Sequence, residues 1–175
     1  PPMNWSAHQQ DAIATAAAWL RIRYAPWFYL AGYAGTGKTT LARHFAELQG
    51  GTVRFMAFTG KAAKVMRQKG CAGATTIHAA IYDNEFDPKT GLVTRKLKEP
   101  DFYRGHSLFI VDECSMVNEH LATDMLTFGV RILVLGDPGQ LPPVEGAGFF
   151  TSGKPHFMLT EVHRQAADSP IIRLA

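Results

Sequence analysis

Trp27-Phe28-Tyr29-Leu30-Ala31-Gly32-Tyr33-Ala34-Gly35-Thr36-Gly37-Lys38-Thr39-Thr40 passes from an apolar run, through a glycine-rich turn, into a segment of helical periodicity. The run Trp27–Ala31 is short and wholly apolar, which suits a strand buried on both faces. The periodic segment predicts a helix from about Lys38 to Leu48, closed by Gly50-Gly51. The turn between them, Gly32 to Thr39, fits G-x-x-x-x-G-K-[ST] in the strand–turn–helix context that this phosphate-binding pattern requires.

The same alternation continues outward. Ser6 is placed to cap a helix whose apolar positions include Ala12, Ile13, Ala16, Ala17 and Leu20, and Pro26 ends that region. Thr52–Phe58 reads as a strand, Lys61–Lys69 as a helix stopped by Gly70, and Ile77–Ile81 as a further helical stretch. Ser107–Val111 and Arg131–Leu135 are aliphatic runs leading to acidic residues, again the pattern of buried parallel strands. The expected fold class is therefore α/β, with a central, mostly parallel sheet flanked by helices.

One segment interrupts this order. Tyr82 to Phe102 is polar and charged, without helical periodicity, and holds the turn signal Asp87-Pro88-Lys89-Thr90-Gly91. Its flanks, Tyr82–Phe86 and Leu92–Leu97, are expected to pair as an inserted β-hairpin, the whole insertion running over 82–104.

Composition sets the outer limits. The 175 residues are 46% hydrophobic and 19% charged, enough to build a core and unlike disordered, collagen-like or disulfide-scaffold chains. The formal charge of +3 is too small to indicate a polyanion binder by its sum. Cys71 and Cys114 fit no metal spacing and are expected to be reduced and structural, as in a cytoplasmic protein. No apolar run approaches the roughly 18 residues of a membrane span. The start, Pro1-Pro2-Met3-Asn4, lacks the features of a signal peptide and reads as a junction or an internal cut.

The turn explains its own residue types. Gly32, Gly35 and Gly37 let the backbone curl so that its N–H groups, with those of Ala34, Thr36 and Thr40, point at phosphate oxygens. The helix that follows adds a partial positive charge at its N-terminus. Lys38 can reach the β- and γ-phosphates, and the Thr39 hydroxyl can ligate Mg²⁺. Asp112 and Glu113, at the end of another buried run, are placed to hold Mg²⁺ and to polarise the attacking water, which favours ATP hydrolysis over binding alone. The stiff loop Gly136–Val144 follows a third run, and a parallel sheet delivers it to the same edge, so that Gln140 can contact the γ-phosphate or that water. From these residues alone, a P-loop ATPase or kinase of another class, or a nucleotide-binding interaction module, remains open.

Gly32–Thr40, Val111-Asp112-Glu113-Cys114-Ser115-Met116 and Leu135–Pro143 resemble motifs I, II and III of superfamily 1 helicases, in the wording of the superfamily 1B branch, the RecD and Dda type. Gln9 resembles the glutamine that reads the adenine edge, although His8 stands before it where an acid is common. Phe58–Ala63 resembles motif Ia, and Thr76-Ile77-His78 the next DNA-contacting motif. Leu159–Gln165 with Ser169–Ile171 resembles motif IV, whose arginine finger would be Arg164.

The resemblance implies an N-terminal RecA-like ATPase domain (1A) over residues 1–175, which uses ATP and Mg²⁺ to move 5′→3′ along single-stranded DNA. It further implies a monomer acting at a duplex fork, with the 82–104 hairpin as the pin (1B), and a second RecA-like lobe that is absent from this chain. Thr59, Gly60, Lys61, Thr76 and His78 would contact DNA. Thr59 and Gly60 also read that way physically, because a hydroxyl and an amide beside a helix N-terminus both donate to phosphate.

Overall fold

The structure is a computed structural model that describes residues 4–140 and 145–161. In chain order its elements are α1 (Ala7–Leu20), β1 (Trp27–Gly32), α2 (Lys38–Gln49), β2 (Thr52–Ala57), α3 (Gly60–Gln68), β3 (Thr75–Thr76), α4 (Ile77–Ile81), β4 (Tyr82–Phe86), β5 (Val93–Leu97), β6 (His106–Asp112), α5 (Glu119–Leu126), β7 (Ile132–Gly136) and β8 (Phe157–Leu159). A single 3₁₀ turn, Cys114–Met116, follows β6.

Six strands form one sheet in the order β3-β2-β6-β7-β1-β8, and every pairing in it is parallel. The α/β class and the central sheet agree with the sequence reading. Side chains alternate between the two faces of each strand, and the core divides accordingly. Phe28, Leu30, Leu108, Ile110, Leu133 and Leu135 lie on one face beneath α1, α2 and α3. Tyr29, Ala31, Phe109, Val111, Ile132 and Val134 lie on the other beneath α4 and α5. All five residues of β7 are buried, as an unbroken aliphatic run in the middle of a parallel sheet requires.

Because the sheet is parallel, the ends of β1, β2, β6 and β7 reach the same edge. The loops that follow are Gly32–Gly37, Phe58–Thr59, Glu113 and Asp137–Gln140. Ligands of open α/β sheets bind at that edge.

β4 and β5 pair as an antiparallel hairpin with Tyr82 opposite Leu97 and Phe86 opposite Val93. Its turn closes through Asp87, whose N–H donates to the Leu92 carbonyl at 2.9 Å. Two ion pairs cross or flank it, Lys96–Glu85 at 3.6 Å and Lys98–Asp83 at 3.1 Å. The hairpin is tied to the body at its base. The Tyr82 hydroxyl donates to Asp124 on α5, and the Lys98 N–H donates to the Ile81 carbonyl. Behind it Tyr103 is buried, with its ring edge-on to His106, Phe109 and Phe128 at 4.9–5.3 Å. Each such aromatic pair is worth about 0.5–1.5 kcal/mol beyond the area it buries.

Candidate active site

The glycine turn is built as its chemistry demands. A Cβ on Gly32 would lie 2.5 Å from Thr36 Oγ1 and 3.2 Å from Leu159 Cβ, so the end of β1 leaves no room for a side chain. Gly35 and Gly37 have φ of 84° and 74°, the left-handed region that glycine enters without cost. Thr36 is buried, and its hydroxyl donates to the Tyr33 carbonyl at 2.8 Å, pinning the loop from within. Gly37 caps α2 without any side-chain bond, which leaves the first amides of α2 facing the loop. Lys38 begins that helix and has no ion-pair partner among the described residues.

Thr39 is 5% exposed, and its hydroxyl donates to Asp112 Oδ2 at 3.3 Å. The other oxygen of Asp112 accepts the Glu113 N–H at 2.8 Å. Glu113 is the one non-glycine residue with positive φ among those described, at φ 57° and ψ 44°. It turns the chain from β6 into the 3₁₀ turn and leaves its side chain exposed. Glu113 Oε2 accepts from the Thr59 hydroxyl at 3.2 Å. The pairing of β2 with β6, Ala57 beside Asp112, brings these two loop ends together.

The loop after β7 reaches the same place. Gly139 N–H donates to Asp137 Oδ1 at 2.8 Å and Gln140 N–H to the Asp137 carbonyl at 3.1 Å, a side-chain-closed turn that leaves Gln140 exposed. A Cβ on Gly139 would stand 3.5 Å from the Tyr33 ring, so this turn lies against the glycine loop. Leu141–Val144 lie outside the described residues, as does Arg164.

Gln9 is buried at the start of α1. Its Oε1 accepts the Ser6 N–H at 2.9 Å while Ser6 Oγ accepts the Gln9 N–H at 3.1 Å, a reciprocal cap. Sequence reading assigned only the Ser6 half of that cap. His8 also gains a purpose, since its Nε2 accepts the Thr160 N–H at 3.3 Å. Leu159 pairs with Gly32, so the start of α1 is held close to the glycine turn through β8.

Beyond Glu113 along the edge lie the other predicted contacts. Thr59 and Thr76 are each an N-cap: Thr59 Oγ1 accepts from Ala62 N–H and Thr76 Oγ1 from Ala79 N–H, both at 3.1 Å. Gly60 and Lys61 are exposed. The half-buried His78 ring stands 6.0 Å from Phe58 and 5.8 Å from Tyr82. Burial, then the nearby Arg95 charge, pull its pKa below the ordinary histidine value, which keeps the ring neutral at pH 7. Arg67 is committed elsewhere, donating to the Ala74 carbonyl at 2.6 Å. The structure thus brings Lys38, Thr39, Asp112, Glu113 and Gln140 to one edge, with Thr59, Gly60, Lys61, Thr76 and His78 continuing it across β2 and β3.

Two residues here escaped sequence reading. Tyr33 bridges two loops, and its only signal was an aromatic residue inside a glycine turn. Asp124 holds the hairpin base from α5, a helix marked by the Asn118 cap and by Leu121, Ala122 and Met125 at helical spacing. Tyr33, Ala34, Gly35, Gly139 and Gln140 are all exposed on this face. Among the described residues, no group of three or more His, Cys, Asp or Glu could hold a metal, and no helix is long and apolar enough to cross a membrane.

Residues 4–175 match the family described as AAA domain. The chain is 38% identical over 156 residues to the ATP-dependent RecD2 DNA helicase of Deinococcus radiodurans, covering 83% of this chain and 21% of that protein. In structure it is similar to the Bacteroides Pif1 helicase in complex with ADP-AlF3 and ssDNA, with a TM-score of 0.62 and 22% identity over 97% of this chain and 44% of that one. It is equally similar to the Pif1 helicase of Candida albicans, with a TM-score of 0.61 and 20% identity over 99% of this chain and 43% of that one. At these identities the structural likeness shows the fold. The chain spans less than half the length of each of these three relatives.

Proposed function

The chain belongs to the AAA domain family, and we propose that it is a RecA-like domain of the superfamily 1B helicase type, the ATP-binding motor lobe (1A) of a 5′→3′ DNA helicase. The observation that carries this reading is the contact of Thr39 with Asp112 at 3.3 Å, beside a Lys38 with no ion-pair partner among the described residues, at the carboxyl edge of a parallel sheet.

Each residue has a task in hydrolysis. Lys38 and the loop amides bind the phosphates. The Thr39 hydroxyl and the Asp112 carboxylate are hard oxygen donors on one spot, a set that fits Mg²⁺, which takes few protein ligands and draws the rest from phosphate and water. Bound there, Mg²⁺ would neutralise charge on the phosphates. Glu113 orients the attacking water, and Gln140 reports on the γ-phosphate. Arg164 would stabilise transition-state charge. Gln9 reads the adenine edge, which its place beside β8 and Gly32 supports.

The DNA strand follows Thr59, Gly60 and Lys61, then Thr76 and His78, with the 82–104 hairpin (1B) as the pin at the fork. The exposed loops of the phosphate face and the fraction of each relative that the chain spans support closure by a second RecA-like lobe; the enzyme is proposed to be a cytoplasmic monomer. The Bacteroides relative holds ADP-AlF3 and ssDNA together, which agrees with this pairing of sites. The test is ATP hydrolysis by the longer protein that carries this lobe, with and without single-stranded DNA. Lys38→Ala should lower the DNA-stimulated rate by about a hundredfold or more; an unchanged rate would remove the P-loop from the mechanism.

A further inference from the structure

The sheet edge opposite the phosphate loop carries a cavity of about 340 Å³. Trp27 opens β1 there, beside Ile132 at the start of β7. The chain from Phe149 to His156, which leads into β8, faces Trp27 across the cavity. Its volume suits one small ligand or one terminal residue.

The walls are aromatic and fixed. The Trp27 ring stands 5.6 Å from Phe149 and 5.4 Å from Phe150, and the two phenylalanines meet edge-on at 5.2 Å. Phe150 is buried, whereas Trp27 and Phe149 keep part of their surface for a ligand. The Phe149 N–H donates to the Val117 carbonyl at 2.8 Å, and the Ile132 N–H donates to the Pro26 carbonyl at 3.0 Å. Both walls are thus tied to the body, which lowers the ordering cost of binding.

The polar groups are few and of one sign. Lys154 is the one charged residue among the described residues of the lining, which holds no Asp or Glu. It is exposed and has no ion-pair partner among the described residues. His156 is held against β1: its Nδ1 accepts the Tyr29 N–H at 2.8 Å, its own N–H donates to the Tyr29 carbonyl at 3.0 Å, and its ring stacks on Phe28 at 5.1 Å. With Nδ1 occupied as an acceptor, the ring hydrogen sits on Nε2 and leaves a donor there. An ammonium and an N–H donor beside aromatic rings suit an anion carried on an apolar body. A polynucleotide needs a track of cations, and this lining offers a single one. A peptide C-terminus brings one carboxylate with its last side chain beside it.

We propose that the cavity is a docking site for the free C-terminus of a partner protein that ends in an aromatic or aliphatic residue. The last side chain enters between Trp27, Phe149 and Phe150, and the carboxylate meets Lys154 and the His156 Nε2–H. The partner is held at the amino edge of the sheet, away from the phosphate loop and from the DNA path proposed above.

The experiment follows the anisotropy of an N-terminally fluorescein-labelled peptide, Gly-Ser-Gly-Leu-Phe with a free carboxylate, as the longer protein is added. The same peptide with a C-terminal amide should bind about tenfold more weakly or worse, the loss of a charge-assisted bond. Lys154→Ala should weaken the acid by a similar factor and leave the amide unchanged, a coupling that a merely structural lysine would not show. Gly153 also lines the cavity, a Cβ there would meet nothing within 4 Å, and its φ lies outside the left-handed region. Gly153→Phe should therefore fold, keep the parent rate of ATP hydrolysis and lose the peptide. The inference is overturned by equal affinity for acid and amide, by no saturable binding up to about 1 mM protein, or by binding that survives both Lys154→Ala and Gly153→Phe. Displacement of the peptide by oligo(dT) would assign the cavity to nucleic acid and overturn it as well.

Discussion

Thr39 and Asp112 are 73 residues apart in sequence, and the hydroxyl of one meets the carboxylate of the other at 3.3 Å. The contact joins the first turn of α2 to the end of β6. It exists because the parallel sheet ends both elements at one edge. Thr39→Val should leave the fold intact and raise the Mg²⁺ concentration needed for half-maximal ATP hydrolysis, since one of two oxygen donors is lost. Thr39→Ser should restore the parent requirement. A Mg²⁺ titration of the hydrolysis rate checks both.

Gly32 and Gly35 are both in the phosphate loop, but they are glycine for different reasons. Gly32→Ala would force its Cβ against Thr36 Oγ1 at 2.5 Å and Leu159 at 3.2 Å. Gly35→Ala would meet nothing within 4 Å but would hold alanine at φ 84°. The first should cost about 1–3 kcal/mol of stability as overpacking. The second should cost about 1–2 kcal/mol as left-handed strain. Because β8 must move only in the first, amide exchange at Phe157–Leu159 should accelerate in Gly32→Ala and not in Gly35→Ala.

Tyr82 fixes the hairpin to α5 through its hydroxyl on Asp124, and burial followed by that bond pushes its phenol pKa up. Tyr82→Phe removes one hydrogen bond to a charged group, worth about 1.5–3 kcal/mol. Exchange at the β4 and β5 amides should quicken. ATP hydrolysis should hold while fork unwinding by the longer protein declines. Equal loss of both activities would show that the hairpin base also supports the phosphate site.

Alkaline pH should act through the buried thiols. Burial pushes Cys71 up to about 11 from its ordinary 9.0, and Cys114 rises as well, again by burial first. The folded state therefore keeps these protons after the unfolded chain has lost them. Their contribution to stability is full below about pH 9 and is lost as pH rises from there towards 11. Thermal unfolding from pH 8 to 11 should show that decline, and Cys71→Ala should make it shallower. Thiol reagents at pH 8 should modify neither cysteine until the protein unfolds.

The strands that carry the site were legible because burial in a parallel sheet leaves a plain mark. Trp27–Ala31, Ser107–Val111 and Arg131–Leu135 each run unbroken; the structure extends the first two by one and two residues and shifts the third by one, to Ile132–Gly136. Lys38, Thr39 and Asp112 were legible because phosphate chemistry fixes residue type and spacing together. β3 and β8, of two and three residues, are too short to show any alternation and exist only by pairing with β2 and β1. The bond between Thr59 and Glu113, across 54 residues, had no sequence signal, because it depends on the lateral order of strands. Gln9 shows another limit: one side chain serves a helix cap that composition cannot separate from a binding role.

In the proposed function, work at the phosphate site is coupled to single-stranded DNA. Its most direct test is the ATP hydrolysis rate of the longer protein carrying this lobe, parent and Lys38→Ala side by side, as oligo(dT) is titrated. A saturable rise with oligo(dT) is expected in the parent and a flat, near-zero line in Lys38→Ala. A parent rate indifferent to oligo(dT), or a Lys38→Ala variant that still responds to it, would contradict that coupling.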